Sequence, residues 1–219
     1  FAVVAGAGGV IQSRQAAARG VDRLFPLSLA SEGSSTVGGT LSTTAGGNQT
    51  IRFGNAREQV LGLEVVLADG TVLDDLNTLR KDNTGYDLKQ MFIGAEGTLG
   101  IITAAAFRLM PGVKMMETAM LAVPSPTAAG KLLVLAREVS GDQVLAFEIM
   151  PRESIQMALD HIDGVIDPMS EPSPWYVLLE SSTASPLAAL LRQLVALLEP
   201  TIEPVTVTYC LCSETLNTP

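Results

Sequence analysis

The stretch Ser35–Gly47, STVGGTLSTTAGG, holds four glycines and six hydroxyl side chains, with no charge and no aromatic residue. Glycine lets the backbone adopt positive φ and lets another group touch the main chain without a Cβ in the way. Serine and threonine add hydroxyl donors, and successive main-chain N–H groups form anion-binding concavities. No Lys or Arg lies between Arg23 and Arg52, so an anion held here is held by amides and hydroxyls rather than by ionic pairing. The stretch lacks the GK[ST] ending of a nucleotide-triphosphate loop. On composition alone two readings stand: tight turns in a glycine-rich surface loop, or a cradle for the diphosphate of a tightly held cofactor.

A second segment, Leu79–Thr103 (LRKDNTGYDLKQMFIGAEGTLGIIT), repeats the theme with Gly94, Gly97, Thr98 and Gly100 ahead of an apolar run. Two glycine-hydroxyl segments separated by a hairpin are expected to converge on one elongated ligand. Arg80, Lys81, Asp82 and Asn83 read as a solvated turn, and Tyr86 as an aromatic capping the core.

Outward from these segments, Phe1 to Ala5 reads as a strand and Gly8 to Gly20 as a helix closed by Gly20. The intervening AGAGGVI resembles a dinucleotide fingerprint only superficially. The third glycine of GxGxxG falls at Ile11, and no acid follows at the required distance. A strand-to-helix turn is the better reading. Pro26 to Asn48 shows little periodicity. Two β-rich runs flank Asp69-Gly70, a hairpin signal. Asp87 to Gly94 reads as a short helix with Leu88, Met91 and Phe92 on one face, and Leu99 to Leu109 as a strand. Pro111-Gly112 marks a domain boundary.

Beyond it the elements alternate: strand 118–123, helix 126–139, strand 144–149, helix 151–161, strand 175–180, helix 186–198 and strand 205–209. This rhythm predicts a layer of helices on a sheet. His161, the only histidine, sits on a helix and reads as a surface or packing residue. Cys210 and Cys212 are the only cysteines, too few for a disulfide framework and a poor zinc site on their own.

The chain of 219 residues carries a net charge of −9, with no basic cluster, which argues against nucleic acid or anionic membrane as partner. No apolar run reaches the roughly 18 residues of a membrane span. The opening FAVVAGAGGVI reads as a strand already in progress, and the ending SETLNTP is polar and aperiodic. The chain is expected to be a piece of a longer one.

The runs PLSLASEGSSTVGGTLSTTAGG, RFGNAREQVLGLEVVLADGTVL and LRKDNTGYDLKQMFIGAEGTLGIIT together resemble the vanillyl-alcohol-oxidase-type FAD flavoproteins. The resemblance runs from about Phe1 to Glu180 and is strongest with the branch that oxidises D-2-hydroxyglutarate, D-lactate or glycolate. It implies an α+β fold. Residues 1–112 would be the second part of an FAD-binding domain, whose first part is missing. Residues 113–219 would be the first part of an α+β substrate cap with an antiparallel sheet and flanking helices. It also implies that Leu27, Gly33, Ser34, Thr36, Gly38, Gly39, Thr43, Thr44, Gly46 and Gly47 line FAD, joined by Glu96, Gly97, Thr98, Gly100 and Ile102. The family's histidine-rich motifs, which supply its metal ligands and catalytic base, do not occur among these residues, so no catalytic or metal-binding residue is assigned. Noncovalent FAD is expected, since no histidine lies near the cradle.

The implied partners are a small 2-hydroxy acid and an electron acceptor; a homo-oligomer is compatible. The implied compartment is the cytoplasm in a bacterium or the mitochondrion in a eukaryote. A non-catalytic flavin-binding module, or a subunit completed by a partner chain, is the alternative reading of the same motifs.

Overall fold

The computed structural model describes residues 1–113, 116–167, 169, 171–182 and 210–214. The chain divides into two compact units, Phe1–Val113 and the unit that begins at Lys114. Both combine helices with antiparallel sheet, as the α+β expectation requires.

The first unit is built on a four-stranded sheet. Strand β1 (Ala2–Gly6) leads through a glycine turn, closed by Gly9 N–H to Gly6 O at 2.9 Å, into helix α1 (Ile11–Arg19). The helix therefore starts at Ile11 rather than at Gly8. Strand β2 (Arg23–Leu24) follows, and then α2 (Val37–Ser42), a helix inside the stretch read as aperiodic. Next come the single turns α3 (Thr50–Phe53) and α4 (Ala56–Gln59), strands β3 (Val60–Val66) and β4 (Val72–Asp75), and α5 (Lys89–Phe92). Strand β5 (Ile101–Arg108) completes the sheet in the order β1-β5-β3-β4, and β6 (Met110–Pro111) pairs with β2.

The hairpin at Asp69-Gly70 forms as its sequence predicts. Leu67 and Thr71 close the turn at 2.9 Å, Asp69 Oδ1 accepts the Thr71 amide at 2.9 Å, and Gly70 sits at φ 86°. Helices α1 and α2 cover one face of the sheet. Ile11, Ala18, Val37 and Leu41 pack with Phe25, Leu27, Leu63, Val65, Ala105 and Phe107 into one buried cluster. The Phe25 and Phe107 rings meet at 5.0 Å between centroids.

Around α5 only part of the expected face is buried: Phe92 packs against the core. Leu88 and Met91 are 52% and 57% exposed, whereas Ile93, just past the helix, is 1% exposed and anchors it. Tyr86 is 96% exposed and caps nothing in this unit. A one-turn helix has no fixed amphipathic stripe, so the tertiary anchor at its end sets which side chains are buried.

The second unit carries β7 (Met116–Val123), α6 (Pro126–Ser140), β8 (Val144–Pro151), α7 (Arg152–His161), β9 (Trp175–Ser181) and β10 (Cys210–Glu214). All pairings in its sheet are antiparallel, in the order β10-β7-β9-β8. Helix α6 starts on the Ser125 hydroxyl, which accepts the Ala128 amide at 3.2 Å, and ends on Gly141 in the left-handed conformation at φ 63°. Both ends follow from residue type. At the start of α7, Arg152 binds Asp167 Oδ2 at 2.6 Å and the hydroxyl of buried Tyr176 at 2.9 Å, and that hydroxyl also accepts the Ser173 amide at 2.8 Å. The helix expected at 186–198 and the strand at 205–209 lie outside the described residues. The first residues of the run read as a polar, aperiodic ending, Ser213 and Glu214, belong to β10 and pair with Glu117 and Met116 of β7.

Candidate functional site

The glycine stretch folds as a turn and a short helix hung on the sheet. Thr36 caps α2, its hydroxyl accepting the Gly39 amide at 3.3 Å. Val37 and Gly38 donate backward to the carbonyls of Gly9 and Ala7 at 2.9 and 2.8 Å, while Ala7 itself donates to Thr103 O in β5 at 2.8 Å. The amides opening α2 are thus already engaged with the protein, and a diphosphate has to find other donors.

Two of the glycines are required by close packing of the chain on itself. A Cβ on Gly38 would lie 2.8 Å from the Ala7 Cβ, so the glycine lets the α1 approach turn and α2 touch. Gly47, at φ 142°, would drive a Cβ to 2.0 Å from Ser28 O. At both places chain packs against chain.

Beyond α2 the picture changes. Thr43 returns its hydroxyl to Gly39 O at 3.0 Å, but Thr44 sits at φ 52° with its Oγ1 buried and without a hydrogen-bond partner among the described residues. A buried, unpaired hydroxyl is costly and calls for a partner that the described residues do not supply.

The second glycine-hydroxyl segment lies directly against this point. The Gly94 amide donates to Leu41 O at 3.0 Å, and the Glu96 amide to Ser42 O at 3.0 Å. A Cβ on Gly94 would be 3.6 Å from Thr44 Cβ. Glu96 and Gly97 both take positive φ, 51° and 78°, and Thr98 closes the turn by donating its hydroxyl to Ala95 O at 2.6 Å. The two segments converge at the C-terminal end of α2.

Not every residue singled out in the sequence presents its side chain there. Leu27 and Ile102 are 1% and 5% exposed within the apolar core. Gly33 and Ser34 lie in the turn before α2, where Ser34 donates its amide to Ser31 O at 3.0 Å. Gly46 lies beside Asn55 and Thr50, and Gly100 beside Val65. Lys81, Asp82 and Asn83 form the expected solvated turn, with Asp82 Oδ1 accepting the Thr84 hydroxyl at 2.6 Å and its amide at 3.0 Å. Those two hydrogen bonds hold the Asp82 carboxyl below its ordinary pKa. His161 is exposed, with Nδ1 3.0 Å from Met157 O.

A separate cavity of about 730 Å³ lies beneath the hairpin and the 77–92 segment. Leu63, Val65, Tyr86, Lys89, Phe92 and Arg108 line it, and none of the cradle residues does. Among the described residues no group of three or more His, Cys, Asp or Glu is arranged to hold a metal ion, and no helix is long and apolar enough to cross a membrane.

With this geometry in place, the likeness to known proteins is specific. Residues 1–75 match a family model described as an FAD binding domain. Over 159 residues the chain is 45% identical to the mitochondrial D-2-hydroxyglutarate dehydrogenase of Arabidopsis thaliana, an overlap of 73% of this chain and 28% of that protein. Over 164 residues it is 47% identical to the Rattus norvegicus enzyme of the same name, covering 75% of this chain and 30% of the relative. The chain therefore spans less than a third of the length of these relatives. In fold it is similar to alkyldihydroxyacetonephosphate synthase, with a TM-score of 0.71 at 18% identity over 91% of this chain and 39% of that one.

The chain is thus similar to flavoproteins that carry an FAD binding domain. Within that class its sequence relatives are the D-2-hydroxyglutarate dehydrogenases. The cofactor of the matched domain is FAD, and the buried, unpartnered Thr44 hydroxyl among neutral donors fits a diphosphate-bearing ligand.

Arg57 is the residue that sequence reasoning passed over. It lies in GNAREQ, within one of the three runs that carry the resemblance, but no local pattern gives it a role, and only the fold brings it to the 90–96 segment.

Proposed function

We propose that this chain is part of an FAD-dependent dehydrogenase that oxidises a D-2-hydroxy acid, of the 2-hydroxyglutarate, lactate or glycolate type, to the 2-oxo acid. The observation that carries the reading is the convergence of the two glycine-hydroxyl segments through the Gly94–Leu41 and Glu96–Ser42 hydrogen bonds, with the Thr44 hydroxyl buried and unpaired beside them.

In this reading residues 1–112 are the second part of the FAD-binding domain and 113–219 the opening part of the substrate cap. The division of the chain at Val113 and Lys114 supports that arrangement. Thr43 and Thr44 face the cofactor from one side and the Glu96-Gly97-Thr98 turn from the other, while Thr36, Gly38, Gly39, Gly46, Gly47 and Gly100 shape the cradle through close packing of the chain on itself. Leu27, Gly33, Ser34 and Ile102 back them. The chain holds the diphosphate with neutral hydroxyls and amides, which orient it without the desolvation cost of buried cations. When bound, FAD supplies an oxidised ring that accepts a hydride. The residues of this chain bind and orient; the proton acceptor and the groups that hold the substrate carboxylate are assigned to none of them.

An electron acceptor then reoxidises the flavin, and the subunits associate with one another. The compartment is the mitochondrion in a eukaryote and the cytoplasm in a bacterium.

The test is flavin absorbance after gel filtration of protein incubated with FAD, followed by anaerobic addition of D- and L-2-hydroxy acids. Yellow protein, bleached by the D-enantiomer when the chain stands within its complete polypeptide, is the expected result. A complete polypeptide that elutes colourless would overturn the reading.

A further inference from the structure

We propose that Arg57 is a positioning residue that fixes the second glycine-hydroxyl segment against the first and so sets the shape of the cradle. The inference rests on the reading of those segments as the FAD site.

Arg57 stands on α4, a single turn whose first amide, that of Ala56, donates to Ala45 O at 2.9 Å. The base of the side chain is therefore tied to the Ala45-Gly46-Gly47 end of the first segment. Its guanidinium reaches across to the end of α5. Nη1 donates to Gln90 O at 2.7 Å and to Gln90 Oε1 at 2.8 Å, and Nη2 donates to Ile93 O.

A one-turn helix leaves its last carbonyls without intrahelical partners and does not hold itself together. Arg57 satisfies two of those carbonyls from outside. The next residue, Gly94, turns at φ 82°, and a Cβ there would lie 3.0 Å from Arg57 Nη2, so the guanidinium occupies the space a side chain would need. Immediately beyond, the Gly94 and Glu96 amides dock on Leu41 O and Ser42 O. One planar fork thus links both segments.

The three acceptors are neutral oxygens on one short stretch of chain, which distinguishes this contact from a surface ion pair. A lysine keeps the charge but presents a point donor on a flexible stem, and it does not span Gln90 O and Ile93 O together.

The experiment compares the wild-type chain with Arg57→Lys, Arg57→Met and the milder Gln90→Leu. Amide hydrogen exchange is read at Gly94 and Glu96, with Ala7, which is bonded to Thr103 O in the sheet, as the reference. FAD is titrated into each protein by flavin fluorescence. Exchange at Gly94 and Glu96 is expected to accelerate by about tenfold or more in both Arg57 variants and by less in Gln90→Leu, with Ala7 within about twofold of wild type. FAD affinity is expected to fall by about tenfold alongside. Unchanged protection, recovery in Arg57→Lys, or equal acceleration at Ala7 would overturn the inference; so would FAD binding in the variants equal to that of a binding wild type. Selective loss of protection in a chain whose wild type takes up no FAD would leave the positioning role standing and remove the cofactor reading instead.

Discussion

The main-chain amide of Glu96 donates to the carbonyl of Ser42 at 3.0 Å, joining a positive-φ turn after α5 to the end of α2. Together with the Gly94–Leu41 bond one step earlier, it makes two segments from opposite sides of a hairpin into one surface.

Thr44→Val is expected to move stability and binding in opposite directions. Valine keeps the branched shape and removes a buried hydroxyl that has no partner in the apoprotein. The apoprotein should be as stable as wild type or more stable by up to about 1 kcal/mol. FAD affinity should drop by about tenfold, one hydrogen bond's worth. Urea unfolding of the apoprotein and a flavin titration check the two halves.

Gly47→Ala should destabilise the first unit by about 3 kcal/mol or more, since a Cβ would be forced to 2.0 Å from the Ser28 carbonyl. Gly70→Ala is the control. That glycine also has positive φ, but a Cβ there would meet nothing within 4 Å, so only the backbone strain of about 1–2 kcal/mol remains. The difference between their denaturation midpoints measures the clash together with the extra backbone strain at φ 142°.

Removing the cap of α2 should be milder. Thr36→Ala deprives the Gly39 amide of its acceptor and is expected to cost about 1 kcal/mol, while Thr36→Ser restores most of it. Thermal unfolding of the two variants distinguishes a lost hydroxyl from a lost methyl.

In the second unit the acid limb of stability should depend on Asp167. Its carboxyl is held below its ordinary pKa by the hydrogen bond from Arg152 and then by the Met169 amide. A depressed folded-state pKa contributes stability that is present above the unfolded value near 3.9 and is lost as pH falls through the folded value. Asp167→Asn should therefore lower stability at neutral pH and flatten its decline below about pH 4. Urea midpoints across that range for both proteins provide the comparison.

How much was legible beforehand follows the range of the interactions. The hairpin at Asp69-Gly70 is written in a turn dipeptide and forms as read, and helix α6 forms at Pro126–Ser140, within one residue of the 126–139 expected. Helix α2 was not legible. Glycines and β-branched residues are poor helix formers, and its opening amides are satisfied by Ala7 and Gly9, residues from another element. The buried side of α5 was read only in part, since Phe92 and Ile93, not Leu88 or Met91, meet the core.

For the site, the residue types announced hydroxyl and amide donors without cations. The structure shows that the donors opening α2 are spent on the fold and that Thr44 retains an unmet one. The role of Arg57 lay beyond any local pattern, because its three acceptors belong to residues 90 and 93.

The contact between Ser42 and Glu96 also has an entropic side. The chain between them runs through β3, the hairpin and α5, so holding the two segments together costs loop-closure entropy that a contact between chain neighbours does not. A ligand that binds the joined segments and not the separated ones adds its binding free energy to that contact and acts as a latch on the folded unit.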